Sequence, residues 1–307
     1  MQIRHLKTFT AVASTLNFTR AAEQVHLAQS SVTEQIQSLE ADLDVALFDR
    51  SSRKLCLTAA GQQLLEYAQA LLDLADEAHA AVAAAAKLPG GTLTIGGLET
   101  LCATRLSPLL AHFGQGHPSV KLQLKVGRSG DLRNALRSAA MDVCFAFSTL
   151  SDSEELQSEI VGSERLIIIV PPKHKLAHAT EVGPDDVAEE PFLVTEPGCV
   201  YRRMFETAFP AIRPRIAGEV ASLAAIRSLV ESGLGCALLP EVALANTNGA
   251  VHRLNWRGDV QTVPMTMAWR SRRVQSPAVK AFLEEARAAF AVITPADVRH
   301  PRVERSR

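Results

Sequence analysis

The chain has 307 residues, more than one domain usually holds, and its 47% hydrophobic and 21% charged residues describe ordinary globular material, which excludes a disordered or fibrous protein. Its formal net charge is −1, and within residues 1–60 six basic side chains (Arg4, Lys7, Arg20, Arg50, Arg53, Lys54) face six acidic ones (Glu23, Glu34, Glu40, Asp42, Asp44, Asp49), so bulk charge alone binds no polyanion there. No apolar leader opens the sequence, runs such as 166–172 are far too short to span a bilayer, and the five cysteines lack C-x-x-C spacing, which argues against a disulfide framework and a zinc site; the expected setting is the cytoplasm, with reduced thiols and no membrane contact.

Leu6, Phe9, Val12 and Ala13 share one face at the helical period, and Ala21, Ala22 and Val25 predict a second helix whose small residues allow close packing. After a turn at His26, Leu27 and Ala28, the apolar residues Val32, Ile36, Leu39 and Leu43 predict a third helix, with Ser31 and Glu34 matching a capping box at its start. Ser30, Ser31, Thr33, Glu34, Gln35 and Gln37 then point away from the core, and hydroxyl and amide groups at the N-terminal end of such a helix suit base edges in a DNA major groove. Two short strands, 47–50 and 54–57, form a wing whose Arg50, Arg53 and Lys54 suit phosphate or minor-groove contact. The expected DNA-binding domain is 1–58, with contacts from Thr19, Arg20, Gln29, Ser30, Ser31, Thr33, Glu34, Gln35 and the three wing cations.

These residues resemble the LysR-type transcriptional regulators. The match runs through Leu6-x-x-Phe9, Asn17-Phe18-Thr19-x-Ala21-Ala22, Gln29-Ser30-x-Val32-Thr33-x-Gln35-Ile36-x-x-Leu39-Glu40-x-x-Leu43, Leu47-Phe48-x-Arg50 and Leu57-Thr58-x-x-Gly61. Asn17 stands where the family usually has serine, and Asp44 where it usually has glycine. Asparagine caps helices and aspartate tolerates a left-handed turn, so neither change threatens the fold.

Residues 58–87 read as a long helix capped by Thr58, with Leu64, Ala68, Leu71, Leu72, Ala75 and Val82 on an apolar stripe. No element of the first 60 residues is expected to cover so long a stripe, which points to a second subunit. The resemblance implies the same: in the family this linker, here 59–91, forms the dimer interface and sets two reading heads on a quasi-palindromic site, with homotetramers as the larger assembly.

From residue 92 the pattern alternates. Strands are predicted at 92–96, 121–126, 143–147, 165–170, 192–195, 215–220, 236–239 and 262–270, and helices at 104–113, 130–139, 200–209, 222–233 and 276–290. Such alternation implies an α/β domain with mainly parallel sheets and a ligand crevice at the carboxyl ends of the strands. The resemblance implies an effector domain over 92–295, built as two α/β subdomains hinged like a periplasmic binding protein. The first spans about 92–163 and 268–293, and the second about 164–267.

Polar or small residues stand where several predicted helices begin, and helix N-termini favour anions. Thr100, Leu101, Cys102, Arg128, Ser129, Thr195, Gly198, Cys199, Tyr201, Arg202 and Ser222 are therefore the expected contacts of a small anionic effector. Gly198-Cys199-x-Tyr201-Arg202 resembles a sequence found in part of the family. Peroxide-sensing members carry a reactive cysteine in this region and a resolving cysteine a few residues onward, but here none lies between Cys199 and Cys236.

Other patterns are set aside. Gly233-Leu234-Gly235 lies between a helix and a strand, the reverse of a dinucleotide-binding turn, and His174 and His178 sit in a Pro- and Lys-rich loop where solvated histidines are expected. No nucleophile elbow, P-loop or kinase signature occurs, so neither an enzyme nor a cofactor or metal protein is expected. Arg299, Arg302, Arg305 and Arg307 mark 296–307 as a flexible tail. The reading that accounts for both halves is a regulator that binds promoter DNA, a small effector and itself, with RNA polymerase as a further partner. A thiol-based redox regulator of the same fold and an architectural DNA-binding protein are the alternatives.

Overall fold

The computed structural model describes residues 1–49, 55–85, 91–147, 155–245, 251–271 and 275–291. The chain forms two units, one within Met1–Pro89 and one within Gly90–Ser271 and Ala278–Arg307.

In the first unit, α1 (Ile3–Thr15) buries Leu6, Phe9 and Val12, α2 (Phe18–Val25) buries Ala21 and Ala22, and α3 (Gln29–Leu43) buries Val32, Ile36 and Leu39. Each helix stops at a left-handed residue: Leu16, His26 and Asp44, with φ of 46°, 55° and 52°. Asp44 thus takes the conformation expected of its family's glycine. Asn17 also serves as the cap, its Oδ1 accepting the Thr19 and Arg20 amides at 2.9 and 3.1 Å. The capping box expected at Ser31 does not form. The helix starts three residues earlier than that cap would place it, with Ala28 at the cap position and no described side chain capping it. A cap is worth about 1 kcal/mol, whereas each buried aliphatic in α3 contributes about 1.5–3 kcal/mol, so packing sets where the helix begins.

The wing pairs β1 (Phe48–Asp49) with β2 (Cys56–Leu57) antiparallel, Phe48 opposite Leu57. Glu40 Oε1 ties it to α3 by accepting the Leu47 and Phe48 amides at 2.8 and 3.3 Å. Arg50, Arg53 and Lys54 lie outside the described residues. Thr58 caps α4 (Ala59–Ala85), its Oγ1 accepting the Gly61 amide at 3.0 Å.

The apolar stripe of α4 is not left uncovered by its own domain. Ala68 and Leu72 are buried in the core that Leu6, Phe9 and Ile36 form, with Leu64 and Leu65 packed against it. The face left outward carries Tyr67, Leu71, Leu74 and Val82, which are 63%, 37%, 63% and 69% exposed. Its steps of four, three and eight residues follow one helical seam. Alanine and leucine occur all round this helix, so one apolar stripe in the sequence is two faces in the structure.

In the second unit β3 (Gly91–Gly97) leads into α5 (Glu99–Leu101), a π-helical turn (Cys102–Leu106) and α6 (Ser107–Gly116). There follow β4 (Val120–Val126), α7 (Ser129–Arg137), β5 (Val143–Ala146), β6 (Leu156–Val170), β7 (Glu181–Val182), β8 (Phe192–Val194), α8 (Val200–Ala208), β9 (Ile216–Glu219), α9 (Leu223–Glu231), β10 (Ala237–Pro240), β11 (His252–Trp256), β12 (Thr262–Arg270) and α10 (Pro277–Ala291). The main sheet runs β4-β3-β5-β12-β6-β11-β7, with β10 also on β6, and β8 pairs with β9 separately.

The expected mainly parallel sheet is a mixed one. β3 lies parallel to β4 and β5, but β12 is antiparallel to β5 and β6, and β10 and β11 are antiparallel to β6. The cause is that both crossings between subdomains are made by strands. β6 pairs with β12 from Leu156 to Arg165 and with β10 from Leu166 to Ile169. The expected subdomain limits at 163/164 and 267/268 therefore fall inside β6 and β12. In the second half of β6, Leu166, Ile168 and Val170 enter one core and Ile167 and Ile169 another, as in a strand buried on both faces. No described helix is long and apolar enough to cross a membrane.

Candidate functional site

The candidate site residues fall on two surfaces. On the first unit, Thr19, Arg20, Gln29, Ser30 and Glu34 are exposed at the start of α2 and α3, with Ser31 and Thr33 half-exposed. Thr19 Oγ1 donates to Gln29 Oε1 at 3.3 Å, so the two helix starts hold one another, and Thr33 Oγ1 donates back to the Gln29 carbonyl at 3.0 Å. With no side-chain cap on α3, its first amides are open to a phosphate. Gln35 differs from expectation. Its Oε1 accepts from the buried Thr8 hydroxyl at 2.6 Å, so its acceptor joins α3 to α1 instead of meeting a base.

The second surface is a crevice of about 710 Å³ in the second unit. One wall comes from the helix following β3 (Thr100, Thr104) and from the start of α7 (Arg128, Ser129, Arg133). The other comes from the loop and helix after β8 (Thr195, Glu196, Gly198, Cys199, Tyr201, Arg203), the start of α9 (Leu223, Arg227), and Val242 and Ala243. The nine-residue helices α7, α8 and α9 all contribute their first turn. The partial positive charge of those ends is directed into one space. Ser129 and Thr195 line opposite walls, and their buried hydroxyls have no partner among the described residues.

The walls touch. Thr100 Oγ1 and Tyr201 Oη are 2.7 Å apart, and Arg128 Nη2 donates to Glu196 Oε2 at 3.1 Å. Burial pushes the Tyr201 phenol well above its ordinary range, so it stays protonated. Gly198 turns the loop at φ +84°, where a side chain is strained, and sets Cys199 at the N-cap of α8.

A family model described as "Bacterial regulatory helix-turn-helix protein, lysR family" matches residues 3–62, and one described as "LysR substrate binding domain" matches residues 86–291. The chain belongs to the LysR family. It is 33% identical to the uncharacterized HTH-type transcriptional regulator YwqM of Bacillus subtilis, over 94% of this chain and 100% of the relative, and 30% identical to GltR of the same organism, over 96% and 99%. Full-length CbnR complexed with its target DNA is 26% identical with a TM-score of 0.61, covering 94% of this chain and 100% of that one. OxyR C199D of Pseudomonas aeruginosa, at 22% identity, TM-score 0.73 and 95% coverage of both chains, is a likeness of fold alone. LysR proteins are transcriptional regulators, not enzymes, and bind DNA and effectors as oligomers.

Of the residues named as effector contacts in the sequence, Thr100, Arg128, Ser129, Thr195, Gly198, Cys199 and Tyr201 line the crevice of this LysR domain, and four do not. Leu101 and Cys102 turn inward to the core because only the Thr100–Thr104 edge of their helix faces the crevice, and burial pushes the Cys102 thiol up to about 11. Arg202 is a strut, bonded to Glu206, Glu219 and the Thr195 carbonyl. Ser222 Oγ caps α9 by accepting the Ala225 amide at 3.3 Å. Conversely, Thr104, Arg133, Arg203 and Arg227 line the crevice unforeseen. Each lies four residues after a lining residue near a helix start (Thr100, Ser129, Cys199, Leu223), the i, i+4 relation that puts both on one face.

Proposed function

We propose that this LysR regulator reads promoter sites through the start of α3, pairs with a second copy through the outward face of α4, and takes a small anionic effector in the crevice. The observation that carries the effector reading is the convergence, on one crevice, of three helix N-termini and two buried hydroxyls without partners among the described residues. Thermal-shift screening of the full chain against carboxylates, phosphates, amines and neutral analogues tests it. Stabilisation by anions supports the reading, and selective stabilisation by amines or neutral compounds contradicts it. The protein acts in the cytoplasm, where a bound promoter also brings it to RNA polymerase.

Gln29→Ala is expected to weaken binding to the cognate site by about 1–3 kcal/mol and to leave binding to random DNA nearly unchanged, because only base contacts distinguish the two. Equal losses on both DNAs in a gel-shift titration contradict base reading at Gln29.

The placement of the cysteines favours effector binding over thiol sensing. Cys199 lines the crevice, whereas Cys102, Cys144 and Cys236 are buried, with thiols raised to about 11, 12 and 12. Those three are poor resolving partners. Cys199→Ser is expected to leave the DNA footprint unchanged with and without peroxide. A peroxide-dependent footprint that disappears in Cys199→Ser would establish redox sensing instead.

A further inference from the structure

His174 is not the solvated loop histidine that its sequence setting suggests. Its side chain is 15% exposed, and its Nε2 lies 3.0 Å from Glu190 Oε2 and 3.9 Å from Cys236 Sγ. One ligand atom from each of the three groups falls within 4.8 Å of the others. We propose that His174, Glu190 and Cys236 form a binding site for a divalent ion of the zinc class. None of the three lines the effector crevice.

Three separate segments bring these groups together, and the backbone fixes each. A Cβ on Gly235 would meet the Pro191 carbonyl oxygen at 2.5 Å, so only glycine lets the segment leading into β10 press against the residue after Glu190. The Cys236 amide then donates to the Pro191 carbonyl at 2.7 Å, and the Leu193 amide to the Cys236 carbonyl at 2.8 Å. The Glu190 amide is held by the Val187 carbonyl at 3.0 Å, and the His174 amide by the Pro171 carbonyl at 3.1 Å. Sulfur and nitrogen donors beside one carboxylate suit zinc and its borderline neighbours. Magnesium and calcium take oxygen donors. Three protein ligands leave a fourth position for water.

The surroundings support ligation. Lys175 Nζ holds the other oxygen of Glu190 at 2.7 Å, which turns Oε2 toward the ring, as outer partners of metal ligands do. Burial works against the Glu190 carboxylate, but hydrogen bonds from Lys175 and His174 outweigh it and keep the group below its ordinary range. Burial pushes the Cys236 thiol up to about 12, so without an ion it is neutral, and a bound ion takes the place of its proton. The Leu176 amide donates to His174 Nδ1 at 3.3 Å, which places the ring proton of the ion-free protein on Nε2, directed at Glu190. Ligation moves that proton to Nδ1, and the long Leu176 contact is given up for coordination to all three groups.

Titration of metal-stripped full-length protein with Co²⁺ as the spectroscopic probe tests the site. The expected result is thiolate-to-cobalt charge-transfer absorbance that saturates at one equivalent and is displaced by Zn²⁺. It should survive in the double variant Cys56→Ser, Cys199→Ser, which removes the exposed and the crevice thiols. It should vanish in Cys236→Ala and require about tenfold more Co²⁺ or beyond in His174→Gln. Melting curves without metal establish that the variants fold, and should Cys236→Ala fail to fold, His174→Gln decides alone. Absence of the band in the wild-type protein, or a wild-type titration in His174→Gln, overturns the proposal and leaves the cluster as a hydrogen-bonded anchor for its loop.

Discussion

Leu72→Asp should unfold the first unit, whereas Leu74→Asp should leave it folded and separate the subunits. Leu72 is 8% exposed and packs in the core with Ala68 and Phe9. Aspartate there forfeits the leucine's burial, commonly about 2–5 kcal/mol on truncation, and adds a carboxylate without a partner. Against a domain stability of about 5–15 kcal/mol, that loss removes most of the margin. Leu74 is 63% exposed and shares the outward seam with Tyr67, Leu71 and Val82. Aspartate costs little there in the isolated chain, but in a pair of α4 helices it buries two like charges at the interface. Sedimentation and thermal melting distinguish the outcomes. A stable oligomer for Leu74→Asp means that the seam lies elsewhere, and a melting curve of Leu72→Asp equal to wild type contradicts the packing.

The other large effect belongs to the crevice. Thr195→Val keeps the shape of a buried side chain and removes a hydroxyl that has no partner among the described residues. A hydrogen bond to a charged group contributes about 1.5–3 kcal/mol, so the effector's affinity should fall about ten- to a hundredfold. The protein itself should not be destabilised, because an unpaired buried hydroxyl costs free energy in the ligand-free state. Ser222→Ala serves as the contrast: it removes a helix cap worth about 1 kcal/mol of stability without touching the effector. Calorimetric titration showing equal affinity for wild type and Thr195→Val would exclude that hydroxyl from the effector site.

The three helices of the first unit were legible in the sequence because helical periodicity survives when most of a core is local. Asn17 and Asp44 could be understood from backbone chemistry alone, and both perform as that chemistry requires. The start of α3 could not, since Ser31 and Glu34 spell a cap while the buried face of the helix fixes its actual position. The two faces of α4 were merged into one because nothing in an alanine- and leucine-rich run says which side meets its own domain. In the second unit the first half of β6 was missed. Gln157, Glu159 and Ile160 lie on its more open part, so the apolar run that betrays residues 166–170 is absent there. Helix starts were legible and do line the crevice, whereas Arg133, Arg203 and Arg227 lie a turn further on. His174, Glu190 and Cys236 come from three distant stretches, and no spacing rule joins them.

Footprinting of the full-length protein on sites recovered by selection from genomic fragments, with and without the anion that stabilises it most, separates a ligand-governed regulator from a protein that coats DNA. Discrete protected sites are expected, whose occupancy or extent changes with the anion, with a coupling of about 1–3 kcal/mol. In Thr195→Val the same sites should be protected without the anion, and the response should require correspondingly more of it. Broad, site-independent protection, or a wild-type response to the anion in Thr195→Val, would contradict a regulator governed through this crevice.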